Sequence, residues 1–265
     1  MKKIDLLCID PQNDFCDPKG NLFVQGANDD MARLAKFVKK NKNILNDIHV
    51  TLDSHHFVDV AHPVFWRDSN GNHPDPFTII SLEDIKNGKW NPTNLSWRER
   101  MVDYVESLED GDRYPLCIWP PHCLIGSIGY AVYPELFEAF IEWEKEFAFV
   151  NYVTKGSNLF TEHYSAIKAE VPDPQDPTTH INTKLIQSLM DANTVLIAGE
   201  AGSHCLANSV RDIAEAFNDD SYISRLVLLE DATSPVTGFE SLQEDFIKDM
   251  VARGMQLSST TNFVA

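Results

Sequence analysis

The stretch Val195–Val210, VLIAGEAGSHCLANSV, constrains this chain more than any other. The aliphatic run from Val195 to Ala198 ends at Gly199. Small residues Ala201 and Gly202 follow, and then Ser203, His204 and Cys205. Beyond Cys205, the residues Leu206, Val210, Ile213, Ala214 and Phe217 recur at three- and four-residue spacing, the period of an amphipathic helix. The pattern reads strand, tight turn, helix, with a cysteine where the helix opens. Free N–H groups of a first helical turn and the helix dipole both favour negative charge. A cysteine in that setting can have its pKa lowered well below ~8.5. Small residues before it let backbone N–H groups approach an oxyanion. Taken alone, Cys205 still reads more readily as a packed thiol, because free cysteine is among the most buried residue types. The rest of the chain reverses that balance.

The same alternation recurs along the sequence. Strands are expected at Ile4–Ile9, Ile48–Leu52, Phe147–Val153, Ser224–Leu229 and Met255–Ser258. Helices are expected at Asp29–Leu45, Trp97–Leu108, Leu136–Phe147, His180–Met190 and Phe239–Arg253. Strands alternating with helices predict an α/β, Rossmann-like fold, a mostly parallel sheet of about six strands covered on both faces. Residues 1–265 are expected to form a single domain, with a long excursion at about 56–110. The first part of that excursion lacks periodicity, yet Phe57, Phe65, Trp66, Phe77 and Trp90 call for burial, so it reads as ordered.

Composition removes several function classes. The formal charge of −18, from 22 basic and 40 acidic residues, argues against nucleic acid or an anionic membrane surface as partner. The five cysteines are odd in number and widely spaced, as in a reducing compartment without a disulfide scaffold. The apolar run near the N-terminus is too short for a signal peptide, and no stretch approaches a membrane span. A soluble cytoplasmic protein is expected, acting on a small molecule; self-association into a homo-oligomer is compatible with this composition. No glycine-rich nucleotide loop is present.

Four polar or reactive residues fall at expected strand ends: Asp10, Asp53, Lys155 and, past its turn, Cys205. In an open parallel sheet the ligand crevice lies beyond those ends. Together they make a chemical set, in which a cysteine attacks, a carboxylate moves its proton, and an ammonium holds the negative charges together. Asp53 and His55 form a second set. Two residues apart in extended chain, they point to one side about 6.5 Å apart along the backbone. One carboxylate oxygen and one imidazole can share an ion, with a third ligand from elsewhere. His122, stiffened by Pro120 and Pro121, is the best candidate, and His56 and His62 compete. Such a set suits zinc, manganese or iron(II).

These segments resemble the nicotinamidases and the wider isochorismatase-like cysteine hydrolases. IDPQNDFCDPKGNL is similar to their opening strand and D-x-Q-N-D-F loop, and VTLDSHH to their D-x-H metal motif. IWPPHC resembles the loop carrying a further metal histidine, VTKGSN the strand ending in the catalytic lysine, and GEAGSHC the nucleophile turn; HYSAI resembles the segment after the lysine. The resemblance implies an isochorismatase-like fold, with Asp10 as general acid/base, Lys155 as its charged partner and Cys205 as nucleophile. It implies metal ligation by Asp53, His55 and His122, and an oxyanion hole from the N–H groups of Ala201 and Cys205 beside a cis Glu200–Ala201 peptide. Phe15 would line the ring pocket and Trp66 would pack on the substrate ring. The implied reaction is hydrolysis of nicotinamide, or a close heteroaromatic carboxamide, through a thioester on Cys205, with a divalent ion, zinc foremost. This chain departs from the pattern at His56, where many members have proline, at Asp59, near where they have a further histidine, and at Glu200, where an aliphatic residue is usual. Other readings remain: a metal-independent hydrolase of another carbamoyl or amide compound, a non-haem iron oxygenase, or an idle binding protein.

Overall fold

The structure, a computed structural model, describes residues 2–111, 113–146 and 148–264. Six strands build the main sheet: β1 (Ile4–Ile9), β2 (Leu45–Asp53), β3 (Asn151–Lys155), β4 (Thr194–Gly199), β5 (Leu226–Leu229) and β6 (Gln256–Ser258). Their order is β6-β5-β4-β1-β2-β3, and every neighbouring pair is parallel. The longer helices are α1 (Ala27–Asn41), α2 (Arg98–Asp110), α3 (Pro134–Glu144), α4 (Thr183–Met190), α5 (Cys205–Phe217) and α6 (Glu240–Ala252).

The period of two along β1 divides its side chains between two cores. Leu6 and Cys8 pack with Met31 and Leu34 of α1 and Phe140 and Trp143 of α3. Leu7 and Ile9 pack on the other face, with Leu185 of α4, Leu206 and Val210 of α5, and Phe246 of α6. Both faces of the sheet are therefore covered, which is why its strands read as apolar runs. Among the described residues no helix is long and apolar enough to cross a membrane.

Several element ends differ from the sequence pattern. Leu45, which continues the helical spacing, belongs to β2 and pairs with Ile4, because the apolar stripe of α1 runs out in the polar stretch 39–43. The expected third strand shifts to Asn151–Lys155, so Lys155 is itself the last strand residue. Phe147, where a helix and a strand were expected to meet, lies outside the described residues.

The excursion has a core of its own. Val60, Phe65, Trp66, Ile80 and Ile85 pack against Met101, Tyr104 and Val105 of α2. Phe57 and Phe77 do not join it and are more than half exposed.

The sheet order reverses at β1. The chain moves from β1 outward through β2 to β3, then returns to place β4 on the other side of β1. Such a switch point opens a crevice at the carboxyl ends of the two diverging strands. Close approach is needed there: Gly199 has φ +109°, and a Cβ on it would lie 2.1 Å from the Ile9 carbonyl oxygen. No other residue type fits.

Candidate active site

Four strand ends deliver their polar residues to this crevice. Asp10 follows β1 with φ +44°, a left-handed conformation uncommon outside glycine, and this turns its carboxyl toward β3. The Thr51 hydroxyl donates to Asp10 Oδ1 at 2.5 Å and accepts the Asp10 N–H at 3.0 Å. Lys155 Nζ lies 3.0 Å from Asp10 Oδ2 and 3.0 Å from Asp53 Oδ1. It also donates to the His163 carbonyl at 2.9 Å and sits 3.7 Å from Cys205 Sγ. Cys205 opens α5, and all four residues are buried. The structure thus brings Asp10, Lys155 and Cys205 together, with Asp53 sharing the ammonium.

The electrostatics follow from burial against pairing. Burial raises the Asp10 carboxyl above its ordinary pKa, and Lys155 opposes the shift without cancelling it. Burial works against the Lys155 ammonium, but the Asp10 and Asp53 carboxylates outweigh it and hold the lysine charged. Burial also pushes the Cys205 thiol well above its usual range, with Lys155 pulling the other way and the Asp10 and Asp53 charges adding to the rise. The resting nucleophile is a neutral thiol beside a carboxylate base. Desolvation outweighs the opposing pull of the Lys155 ammonium.

Asp53, His55 and His122 offer three donor atoms within 4.8 Å of one another. Asp53 Oδ2 is 3.0 Å from His55 Nε2 and 3.4 Å from His122 Nε2. The other nitrogen of each ring is already engaged. His122 Nδ1 donates to the Pro120 carbonyl at 2.9 Å, and His55 Nδ1 lies 3.0 Å from Asp59 Oδ2. Engaging Nδ1 aims each Nε2 at the shared point, as the outer partners of metal-bound histidines do. The residues fit a divalent cation with open coordination positions. Asp59, a departure in the sequence motif, is that outer partner for His55. His62 lies beside the cluster, its ring centroid 5.2 Å from that of His55, and donates no atom to it; His56 is exposed.

A narrow cleft joins the two sets. It is lined by Phe15, Leu22, Asp53, Trp119, His122, Glu162, Tyr164, Ala201, His204, Cys205 and Val236. The backbone N–H groups of Ala201 and Cys205 donate to no other group among the described residues, and the Glu200–Ala201 peptide is cis. Phe15 faces His122 at a centroid distance of 5.4 Å. Trp66 is not among the lining residues; it is fully buried in the excursion core, where its indole N–H donates to the Val60 carbonyl at 2.7 Å. Trp119, Tyr164 and His204 supply the aromatic wall instead. A larger open groove of about 480 Å³ lies between α2 and residues 171–175, but it gathers neither nucleophile nor ligand cluster.

Glu200 faces away from the cleft. Its Oε2 accepts the Ser234 N–H at 3.1 Å, and burial, reinforced by Asp30, raises its pKa well above the carboxylate range. A neutral acid there adds no charge beside the thiol. Glu200→Gln, which keeps the acceptor, is expected to leave stability nearly unchanged. Glu200→Ala removes the acceptor of the half-buried Ser234 N–H and costs about 1 kcal/mol in urea unfolding.

Several supporting residues carried only a motif signal. Gln12 clamps β2, donating to the Asp53 carbonyl at 2.7 Å and accepting the Asp53 N–H at 2.7 Å. Asn13 donates to the Ile128 carbonyl at 2.8 Å, and Asp14 accepts the Cys123 N–H at 2.7 Å, which fixes the loop carrying His122. Thr51 has no signal beyond its place two residues before Asp53.

Comparison with known proteins supports the fold at low identity. No sequence-family model matches the chain, and no curated protein sequence matches it. Among solved structures, the yeast nicotinamidase bound to the inhibitor nicotinaldehyde superposes with a TM-score of 0.66 at 17% identity, covering 97% of this chain and 99% of that one. A nicotinamidase/pyrazinamidase from Acinetobacter baumanii gives 0.64 at 20% identity over 98% of each chain. The Pyrococcus horikoshii pyrazinamidase in complex with zinc gives 0.57 at 16% identity, over 97% of this chain and 99% of that one. The chain has the isochorismatase-like α/β fold of these enzymes.

Proposed function

We propose that the protein is a metal-assisted cysteine amidase that hydrolyses nicotinamide, or a close heteroaromatic carboxamide, to the acid and ammonia. The observation that carries this reading is the meeting of Asp10, Lys155 and Cys205 with the Asp53–His55–His122 cluster in one cleft. Structural likeness to nicotinamidases supports it. In this reading the chain is one cysteine-hydrolase unit, and residues 56–110 are an excursion whose Asp59 engages the outer nitrogen of His55.

The residues divide the chemistry as follows. Asp53, His55 and His122 would hold a divalent ion, zinc by analogy with the Pyrococcus enzyme, which supplies a Lewis-acid anchor for the ring nitrogen. Phe15 and the aromatic wall hold the ring. Asp10 takes the thiol proton as Cys205 Sγ adds to the amide carbon, and the N–H groups of Ala201 and Cys205 receive the developing oxyanion. Asp10 then gives that proton to the leaving nitrogen, the C–N bond breaks, and ammonia departs. Water adds to the thioester with Asp10 as base, which releases the acid and restores the thiol. Lys155 keeps Asp10 and Asp53 compensated throughout.

The test is ammonia release from nicotinamide before and after chelation. Removing the ion is expected to abolish turnover, and zinc, manganese or iron(II) to restore it; turnover untouched by chelation would favour a metal-independent amidase. Asp59→Asn is expected to weaken metal affinity about 10–100-fold by competition with a chelator, because it removes the outer partner of His55.

A further inference from the structure

Two consecutive residues tie the end of the excursion to the nucleophile. Arg113 and Tyr114 follow α2 in the chain. Arg113 Nη2 donates to Asp212 Oδ1 at 2.5 Å, and Asp212 is buried on α5 about two turns beyond Cys205. Tyr114 reaches the turn that leads into α5. Its hydroxyl donates to the Ser203 carbonyl at 2.9 Å, and its ring stacks on His204 with centroids 5.1 Å apart and planes at 26°. Burial raises the pKa of Tyr114, which keeps the donor proton in place. Tyr114 does not line the cleft, so it acts on the site only through the turn.

Ser203 is fully buried, and no other donor reaches its carbonyl among the described residues. The same peptide plane carries the His204 N–H, which donates to the Ala201 carbonyl at 3.0 Å. Both polar ends of that plane are thus fixed, one within the turn and one by Tyr114. The next plane carries the Cys205 N–H. His204 joins the two planes outside the helical region, at φ −132° and ψ −92°. Rotation there re-aims the Cys205 N–H, and a hydrogen bond weakens steeply as its angle departs from linear. Without the Tyr114 hydroxyl the Ser203 carbonyl is a buried acceptor with no donor, and the plane is driven to turn toward another.

We infer that Tyr114 is a positioning residue: from the end of the excursion it fixes the Ser203–His204 peptide, and so the aim of the Cys205 N–H toward the oxyanion. This inference rests on the amidase reading and deepens it by giving the excursion a part in the reaction.

Tyr114→Phe keeps the stacked ring and removes the hydroxyl. On the carboxamide turned over best, kcat is expected to fall about 10–100-fold with KM unchanged within about twofold; outright loss of an oxyanion donor costs about 10²–10³-fold. Nicotinaldehyde supplies a second readout. As Cys205 Sγ bonds to its carbonyl carbon, the π pair moves to oxygen and the thiol proton passes to Asp10, so an oxyanion forms in the same hole. Its inhibition constant is expected to rise by about the factor lost from kcat, while binding of nicotinate holds. A general loss of stability does not produce that split. Unchanged kcat and aldehyde inhibition in folded Tyr114→Phe, or a raised KM at constant kcat, overturn the inference and leave the amidase reading intact. Absence of ammonia from every carboxamide with the unsubstituted protein overturns both. Should Tyr114→Phe fail to fold, a fluorinated tyrosine at position 114 keeps the ring and a more acidic hydroxyl. Once its absorbance shows ionisation, kcat is expected to fall at constant KM relative to the unsubstituted protein at the same pH; a kcat that does not fall overturns the inference.

Discussion

Cys205→Ala is expected to lower ammonia release from nicotinamide by at least about 10³-fold while leaving ligand binding measurable. The prediction separates two mechanisms that one cleft can host. An ion at Asp53, His55 and His122 with open positions can in principle deliver hydroxide directly to the amide, and that route needs no sulfur. A thioester route needs the Sγ atom, and no other cysteine substitutes for it. Cys8, Cys16, Cys117 and Cys123 are all buried, and none lines the cleft. Retention of substantial turnover in Cys205→Ala would remove the cysteine mechanism and leave the metal route. A second readout guards against a trivial folding defect: nicotinaldehyde, whose carbonyl adds a thiol reversibly, should inhibit the wild type far more strongly than the variant. The alanine keeps the start of α5, so its thermal midpoint should fall by only a few degrees for a loss of about 1 kcal/mol.

Asp10→Asn is expected to cost about 10²–10⁴-fold in kcat/KM on the amide. The side chain keeps its shape and can still engage Thr51, but it can neither take the thiol proton nor return it to nitrogen. The charge consequences are modest, because Lys155 retains Asp53 as a carboxylate partner at 3.0 Å. An activated ester of the same acid separates the two proton transfers, since its leaving group departs without protonation. The deficit on that ester should be at least about tenfold smaller than on the amide; equal deficits would eliminate the general-acid role. The pH profile follows from the raised Asp10 pKa. Activity needs Asp10 ionised, so it falls as pH drops through a value above the ordinary carboxylate range, and this acid limb should vanish in Asp10→Asn.

What was legible in the sequence is what short-range patterning encodes. Asp10, Lys155 and Cys205 stand where an apolar run stops, and a parallel sheet carries such positions to one edge, so their meeting follows from topology. The Asp53–His55 spacing is likewise local. The aromatic wall was not legible. Trp66 and Trp119 are alike as residues, and which one faces the cleft depends on how an aperiodic excursion folds on α2. The orientation of Glu200 was hidden for a similar reason, because its partners Asp30 and Ser234 lie far away in sequence. Nor does a helix-start position reveal a thiol's ionisation, which here depends on the burial contributed by the whole cleft.

The order of the sheet also bears on how the protein is made. β1 is made before the other five strands of the main sheet but is flanked on both sides in the finished molecule, by β2 and by β4. Its pairing with β4 cannot begin until Thr194 has been added. At ~5–20 residues per second, the apolar strand Ile4–Ile9 therefore keeps one bare edge for on the order of ten seconds. Asp10 is made well before Lys155, its ion-pair partner, and Cys205. A chain that stops before Thr194 thus lacks both Cys205 and the strand that would pair with the second edge of β1.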